Sequence, residues 1–432
     1  MNSRPVGDRL GGILAYGLPG LPLALPGLAL YVWLPVFYAE QLGLGLAAVG
    51  LAIMLTRLFD VVTDPLVGRM LDRLGGPYRR RLPMIAGAIL SMIALNQLLV
   101  PPEQAGLGHL YGWALAAYLG WTLVSAPYQA WGAEVDPRPA ARTRLSAGRE
   151  GFAILATVLA AAVPVVIGSD QPGAVLQAVN LLVLLLLPAT LLILFARIPE
   201  VPFSATTTRV GGLRSLVRDN PSLAPLLSAH WLNGLANGLP AALFLLFVTH
   251  RLQAPEAVGP LLLVYFTAGI IALPLWARLA ARHGKARTWL ASVMLAAVAF
   301  LVVPWLGPGD VAAFAVICLV SGLSLGADMA LPASIQADLA GRDRARHGAD
   351  RSGLLFGLLG LVTKLALAVA AGLGLGLLEL SGFDTDGRTD TLALALLYGA
   401  LPVVLKLAAA AIIHGPVTRR FQEAPGGAGA RH

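Results

Sequence analysis

Long apolar stretches dominate this chain and restrict what it can fold into. Twelve of them reach about 20 residues or more, the length of a helix that crosses a hydrocarbon core of about 30 Å. With 57% hydrophobic and only 12% charged residues, a chain of 432 residues has too little polar surface for a soluble globule. A β-barrel would instead show short segments of alternating hydrophobicity. The pattern predicts an all-α polytopic membrane protein with twelve transmembrane helices. The predicted helices cover approximately residues 11–40, 46–72, 82–101, 109–134, 146–168, 176–196, 222–250, 256–280, 287–307, 310–339, 351–380 and 390–414.

The positions of the basic residues predict the orientation. Most of the 31 lysines and arginines lie at the termini and in alternate loops. By the positive-inside rule both termini are expected in the cytoplasm, with the chain in the bacterial inner (cytoplasmic) membrane. The net charge of +8 follows from these loops, so it gives no reason to expect nucleic-acid binding. The basic loops surround residues 69–81, 138–149, 197–218, 278–287 and 342–351.

A polar stretch from Arg197 to Asn220 divides the chain into six predicted helices on each side. A weak internal repeat supports this division, because the basic turns at Gly68–Gly75 and Trp276–Lys285 stand six helices apart. Two pseudo-symmetric six-helix bundles are typical of secondary transporters. The predicted divisions are an N-terminal bundle at 1–197, a cytoplasmic linker at 198–220, a C-terminal bundle at 221–416 and a cytoplasmic tail at 417–432.

Three charged residues interrupt the second predicted helix. Arg57, Asp60 and Asp64 stand at i, i+3 and i+7, within an arc of roughly 60° on one helix face. Each ionised group at the bilayer centre costs about 3 kcal/mol on insertion scales, so the three need partners or a water-filled cavity. A pathway for a solute provides both.

Asp328 lies inside the tenth predicted helix, on a face shared with Ser321 and Ser324. Two interpretations stay open: the carboxylate faces a central cavity, or it is a structural group bonded to neighbouring helices. Counted with Arg57, Asp60, Asp64 and Lys364, it leaves a buried set with a net charge of −1. One proton or one Na⁺ would neutralise this set and thereby couple a cation to conformation.

Two lysines lie within predicted helices of the second half. Lys364 falls on a face of glycines, where another helix or a ligand can approach closely, and its alternative is a side chain that reaches the headgroups. Lys406 lies nearer a helix end and is expected to reach the headgroups.

A polar stripe at His230, Asn233 and Asn237 in the seventh helix either lines a cavity or bonds between helices. Pro19, Pro22 and Pro26 predict a kinked or broken first helix.

Several stretches carry a likeness to a known family. Gly68–Gly75 is similar to the Gly-x-x-x-Asp-Arg-x-Gly signature of the major facilitator superfamily. Four further stretches together resemble the glycoside-pentoside-hexuronide:cation symporter family, typified by the melibiose permease. The stretches are Phe37–Leu44, Arg57–Pro65, Ala126–Tyr128 with the basic loop through Arg144 and Arg149, and Ala337–Leu339 with Arg351–Leu354 and Thr363–Lys364.

The resemblance implies that Asp60 and Asp64 bind the coupling cation, Na⁺ or a proton. Thr63 stands where the melibiose permease has an asparagine, and Thr122 and Ser125 are hydroxyl positions that we assign to the same site. Lys364 matches a lysine that joins the cation and sugar sites. No other cofactor and no structural metal are expected, since Cys318 is the single cysteine. The predicted substrate-binding residues are Arg57, Trp121, Gln129, Arg149, Asp328, Lys364, His230, Asn233 and Asn237.

The chain departs from the sugar-binding members of that family at three positions. Ala24 and Ser125 stand where those members keep aspartates, and Gln129 replaces a tryptophan. Carboxylates that accept hydrogen bonds from sugar hydroxyls are therefore missing, which does not favour an ordinary disaccharide.

Charged residues near the predicted cytoplasmic helix ends suggest a gate. Arg73, Arg138 and Arg142 are expected to form ion pairs with carboxylates that hold an outward-facing state. The alternative is that these are ordinary loop charges worth little each. The predicted acidic members are Asp72, Glu134 and Asp338.

The sequence thus predicts cation-coupled symport of a glycoside-like or other small organic solute by alternating access. The alternative on the same scaffold is transport of an amphipathic or lipid-like solute, which the apolar first helix and the missing sugar aspartates favour. An enzyme is not expected, since no zinc-protease, nucleotide-loop or nucleophile-elbow motif occurs. A non-catalytic assembly factor would not need the buried Asp60, Asp64 and Lys364. We expect a monomer whose partners are the solute, a monovalent cation and the bilayer.

Overall fold

The computed structural model describes residues 6–73, 78–136, 138–200, 213–347, 351–383 and 391–418. Across these ranges the regular structure is helical throughout, with twelve long helices, as the sequence predicts. A short helix, Leu213–Asp219, precedes the seventh of them. The long helices are α1 Leu10–Gln41, α2 Leu46–Arg73, α3 Arg81–Leu99, α4 Leu107–Val135, α5 Pro139–Ile167, α6 Pro172–Arg197, α7 Leu223–Arg251, α8 Val258–His283, α9 Lys285–Leu301, α10 Val311–His347, α11 Ser352–Leu380 and α12 Leu392–Val417.

Eleven helices in the described ranges are long and apolar enough to cross a membrane. The remaining long helix, α4, has 29 residues and is therefore as long as the others. Its tryptophans, tyrosines and glycines give it a lower hydropathy than its neighbours. Aromatic side chains of this kind are still compatible with a helix that borders a polar site in a membrane protein. The chain is a multi-pass membrane protein.

Helix bounds differ most from the prediction at α5 and α10. Helix α5 begins at Pro139 and α10 ends at His347, each about two turns beyond the predicted span. Hydropathy marks only the apolar part of a helix. The helical backbone hydrogen bonds continue beyond that part, into the segment that water surrounds. Proline at the first turn suits such a start because its missing N–H would have no intrahelical partner.

The prediction of an irregular first helix is confirmed. Helix α1 contains a turn at Leu18–Pro19 and two wide π-helical turns, Ala29–Trp33 and Phe37–Gln41. Proline removes a backbone donor and its ring crowds the preceding turn, which explains the break. Wide turns of this type frequently occur at functional sites.

Contacts divide the chain into two compact units. The first comprises Met1–Thr206 with Val258–Pro260, and the second comprises Thr207–Ala257 with Leu261–His432. The predicted linker at 198–220 falls largely on residues outside the described ranges, as does nearly all of the predicted tail.

Close glycine contacts fix one helix crossing in each unit. In the first, a Cβ on Gly120 of α4 would lie 2.7 Å from the backbone nitrogen of Ser91 in α3. In the second, a Cβ on Gly326 of α10 would lie 2.4 Å from the carbonyl oxygen of Gly269 in α8. Real Cβ atoms do not approach so closely, so both crossings require glycine. Thr122 and Asp328 each follow one of these crossings by two residues. Their positions relative to the neighbouring helix are therefore fixed.

Candidate functional site

The first unit brings two carboxylates and a hydroxyl together. The Thr122 hydroxyl of α4 lies 2.8 Å from Oδ1 of Asp64 and 3.3 Å from Oδ1 of Asp60, both on α2. Asp60 and Thr122 are each only 2% exposed, and Asp64 is half-buried. A hydroxyl has one proton, so it donates to one carboxylate at a time and offers a lone pair to a cation. This arrangement, the acidic cluster, presents three hard oxygen atoms at one place.

The other predicted cation-site residues have distinct surroundings. The Thr63 hydroxyl donates to the carbonyl of Asp60, 3.2 Å away in the same helix. Ser125 is buried, one turn after Thr122 on α4. Thr63 is therefore placed to support the backbone of α2, while the side chains of Asp60, Asp64 and Thr122 form the cluster itself.

Arg57 lies one turn before Asp60 and is held by aromatic rings. Its guanidinium carbon lies 5.7 Å from the ring centre of Tyr31 and 5.1 Å from that of Tyr118. The electron-rich faces of these rings stabilise the cation. Within the described residues, its buried Nε has no hydrogen-bond partner. It is therefore an unsatisfied buried donor in this part of the protein.

The remaining predicted substrate residues of this unit lie on α4 and α5. Trp121 donates from Nε1 to the carbonyl oxygen of Leu23 at 3.1 Å, which ties α4 to the irregular α1. The guanidinium of Arg149 bonds to Glu150, with 2.5 Å between Nη2 and Oε1. The side chain of Gln129 is exposed.

Substitution of Thr122 tests the acidic cluster. We expect Thr122→Val to weaken cation binding by about 1–3 kcal/mol, roughly 5- to 150-fold, because the carboxylates lose their donor and the cation loses a ligand. Thr122→Ser keeps the hydroxyl and is expected to stay close to the wild type. Titration of Na⁺ against the intrinsic tryptophan fluorescence of both variants measures the difference. Equal affinities in Thr122→Val and wild type would contradict the role assigned to Thr122.

The second unit contains a buried polar network around Asp328. Its two carboxylate oxygens accept hydrogen bonds from Asn237 Nδ2 of α7 at 2.8 Å and from Trp289 Nε1 of α9 at 3.0 Å. On the other side of Asn237, its Oδ1 accepts from Nζ of Lys406 at 2.7 Å. Lys406 also donates to Oδ1 of Asn233 at 3.1 Å. One amide thus links a carboxylate to an ammonium group.

The expectation that Lys406 reaches the headgroups is wrong. Lys406 is 0% exposed, and Asn233 and Asn237, which accept from its Nζ, lie on α7. A buried ammonium group needs hydrogen bonds and a counter-charge, and Asn233, Asn237 and Asp328 supply them. The sequence contains one indication of this contact, the polar stripe on α7. Two amides at helical spacing suit a charged partner on a facing helix.

Lys406 changes the charge balance of the membrane interior. In the first unit, Arg57, Asp60 and Asp64 carry a net charge of −1. In the second, Asp328, Lys364 and Lys406 carry +1. With Lys406 included, the net charge of the combined set is zero instead of the predicted −1, and the negative excess lies among the three residues of the first unit.

His230 and Lys364 complete the predicted polar residues of the second unit. His230 Nε2 lies 2.8 Å from the Thr363 hydroxyl, which joins α7 to α11 next to Lys364. Lys364 itself is half-buried. Within the described residues, His230 Nδ1 is buried and has no hydrogen-bond partner.

Ion pairs in the first unit differ in partner from those suggested for a gate. Glu134 accepts from Arg79 Nη2 at 2.8 Å and from Arg80 Nη2 at 2.5 Å. The side chains of Asp72 and Arg73 lie outside the described residues.

Arg138 pairs with two carboxylates, at 2.7 Å from both Asp8 and Asp136. These hydrogen bonds from Arg138 lower the pKa of Asp136 to about 2. Arg142 donates to the carbonyl oxygen of Asp136 at 3.3 Å. In the second unit Asp338 accepts from Lys285 at 2.6 Å. Each of these pairs lies within one unit, and a role in gating stays a prediction.

Comparison with known proteins identifies the family. Residues 15–415 match the profile of the family described as MFS/sugar transport protein. The chain belongs to this family. It is therefore a transporter of the major facilitator superfamily, in agreement with its resemblance to the glycoside-pentoside-hexuronide:cation symporters.

Individual relatives of this transporter differ in what they carry. It is 23% identical to the glucuronide carrier protein homolog of Escherichia coli K12, over 80% of this chain and 78% of that one. It is 24% identical to the sodium-dependent lysophosphatidylcholine symporter 1 of Homo sapiens, over 91% and 83%. A match of 30% identity to an uncharacterized Synechocystis symporter, sll1374, covers 37% of this chain and 31% of that relative.

Among solved structures, the nucleoside transporter NupG is similar to this transporter with a TM-score of 0.68 and 14% identity. The alignment covers 94% of this chain and 100% of that one. At this identity the likeness shows the major facilitator fold and carries no information about the solute.

Proposed function

We propose that this transporter is a symporter that couples a small organic solute to Na⁺ bound at the acidic cluster. The observation that carries the proposal is the approach of one Thr122 hydroxyl to both Asp60 and Asp64. Hard carboxylate and hydroxyl oxygens suit a hard cation, and Arg57, Asp60 and Asp64 together carry a net charge of −1 that a bound Na⁺ would balance. The human relative is named as sodium-dependent, which supports the choice of Na⁺.

Coupling follows from the cost of buried charge. Without a cation, Asp60 and Asp64 repel each other, so burying them further is unfavourable. A bound Na⁺ reduces that cost and favours the state that closes around the solute, as alternating access requires. Arg57, one turn away on the same helix, places a donor near the cation for an oxygen of the solute. A proton bound by the carboxylates would act in the same way, and direct ion measurements distinguish the two.

A glycoside-like solute is the first candidate, because the family profile and the glucuronide carrier homolog both concern sugars. An amphipathic solute is the second. The lysophosphatidylcholine symporter matches over 91% of this chain. Ala24 and Ser125 also remove the carboxylates that would hold sugar hydroxyls, and α1 presents no charge between Arg9 and Glu40.

Uptake into proteoliposomes tests the proposal and separates the candidates. Glucuronides, simple glycosides and lysophosphatidylcholines of different tail length are offered with an inward Na⁺ gradient, a proton gradient or neither. The proposal predicts accumulation of one solute class above equilibrium only with the Na⁺ gradient. Dependence on tail length would select the amphipathic solute. Equilibration that ignores both ion gradients would contradict symport.

A further inference from the structure

A basic cavity of about 290 Å³ lies in the second unit, and none of the residues that line it belongs to the polar network around Asp328. It is bordered by the end of α8, the start of α9 and the terminal turns of α10. The positive-inside rule predicts that this side faces the cytoplasm. The polar residues that line it are His283, Lys285, Arg287, Asp338, Arg342 and Thr418.

The charges of this cavity favour an anion. Among the described residues that line the cavity, the cations are Lys285, Arg287 and Arg342 and the carboxylate is Asp338, so the lining carries a charge of +2 with His283 neutral. Nζ of Lys285 lies 2.6 Å from both oxygens of Asp338. That pair is partly open to solvent, with side-chain exposures of 35% and 42%. Exposed pairs of this kind are weak, so Lys285 can exchange Asp338 for another anion.

Backbone geometry adds donors to the same cavity. Only Gly284 separates α8 from α9, with φ 85° and ψ 147°, a conformation that a side chain rarely adopts. As the N-cap of α9 it has no side chain to bond the first-turn N–H groups, which have no intrahelical acceptor. The N–H groups of Lys285 and Ala286 belong to that turn. A helix start of this kind attracts phosphate oxygens.

From the cavity, its charge and these donors together, we infer that this site binds a phosphate group, carried by an anionic phospholipid headgroup or by free phosphate. The volume is at the lower end of ligand pockets, which suits a headgroup or a small anion and excludes an entire lipid. Basic pockets between transmembrane helices on the cytoplasmic side recognise anionic headgroups by the same chemistry. None of the lining residues belongs to the proposed cation or solute site, so a bound phosphate group would act on stability or on the rate of conformational change.

Binding to the full-length purified protein tests the inference. Phosphatidylglycerol, phosphatidylcholine and inorganic phosphate are titrated separately, and binding is followed by native mass spectrometry and by the thermal midpoint. Arg342→Gln and Arg287→Gln each remove one lining charge. Arg282→Gln removes an equal charge from an exposed residue of the same helix end that does not line the cavity, and is the matched control.

Both cavity variants are expected to bind phosphatidylglycerol about tenfold more weakly, with Arg282→Gln within about twofold of wild type. Competition by inorganic phosphate at low millimolar concentration would identify free phosphate as a source, while its failure to compete would identify the lipid headgroup. Two results would overturn the inference. One is equal weakening in Arg282→Gln, which indicates general charge attraction. The other is no preference of the wild type for phosphatidylglycerol or phosphate over phosphatidylcholine.

Discussion

Asp60→Asn is expected to abolish stabilisation by Na⁺ without destabilising the empty protein. In the wild type, Na⁺ at a hundred times its Kd stabilises the folded state by about 2.7 kcal/mol, which raises the thermal midpoint in detergent. Loss of one carboxylate ligand weakens binding by about 3 kcal/mol or more. The empty variant should be at least as stable as wild type, because the repulsion between Asp60 and Asp64 is gone.

The measurement compares midpoints in NaCl, LiCl and choline chloride at several pH values. Glu103→Gln removes an exposed carboxylate from the same unit and is expected to keep the full Na⁺ response. A selective Na⁺ shift that survives in Asp60→Asn would place the cation elsewhere. A pH-dependent shift that disappears in Asp60→Asn, without selectivity among the ions, would identify the proton as the coupling ion.

Lys406→Met is expected to destabilise the second unit by about 3 kcal/mol or more. Removal of the ammonium leaves Asp328 without its counter-charge and deprives Asn233 and Asn237 of a donor, and breaking a buried pair at one partner is costly. The double variant Lys406→Met with Asp328→Asn removes both charges. Because two well-packed neutral groups often replace a buried pair at little cost, the double variant should recover most of the lost stability.

Thermal midpoints of the two single variants and the double variant form a complete cycle. Lys364→Met is the matched control, since Lys364 is a half-buried lysine of the same unit and its loss is expected to lower the midpoint less. Additive losses in the double variant would show that Lys406 and Asp328 do not interact through Asn237.

The sequence predicts the helices well because the bilayer imposes one length and one polarity on each. It also predicts that Asp60 and Asp64 act together, since their spacing alone places them on one face of α2. The hydroxyl partner of those carboxylates is harder to predict from the sequence. Thr122 lies 62 and 58 residues away along the chain and reaches them only because α2 packs against α4.

The surroundings of Lys406 cannot be predicted from the hydropathy of its helix. Hydropathy reports that a lysine lies within an apolar helix but not which neighbours it faces, and its partners Asn233 and Asn237 are 173 and 169 residues distant. A charge balance of the membrane interior offers a partial signal. An aspartate such as Asp328 at that depth requires a cation, and α12 contains one.

In a symporter, solute movement drives cation movement, so a solute gradient imposed without an ion gradient should carry Na⁺ into a vesicle. Proteoliposomes without an ion gradient receive an inward gradient of the solute found in the uptake screen, and entry of radioactive Na⁺ is recorded together with external pH. The account predicts Na⁺ entry above its equilibrium level in wild type and none in Asp60→Asn. Equilibration of the solute in wild type with neither Na⁺ entry nor a change of pH would contradict it and establish a facilitator.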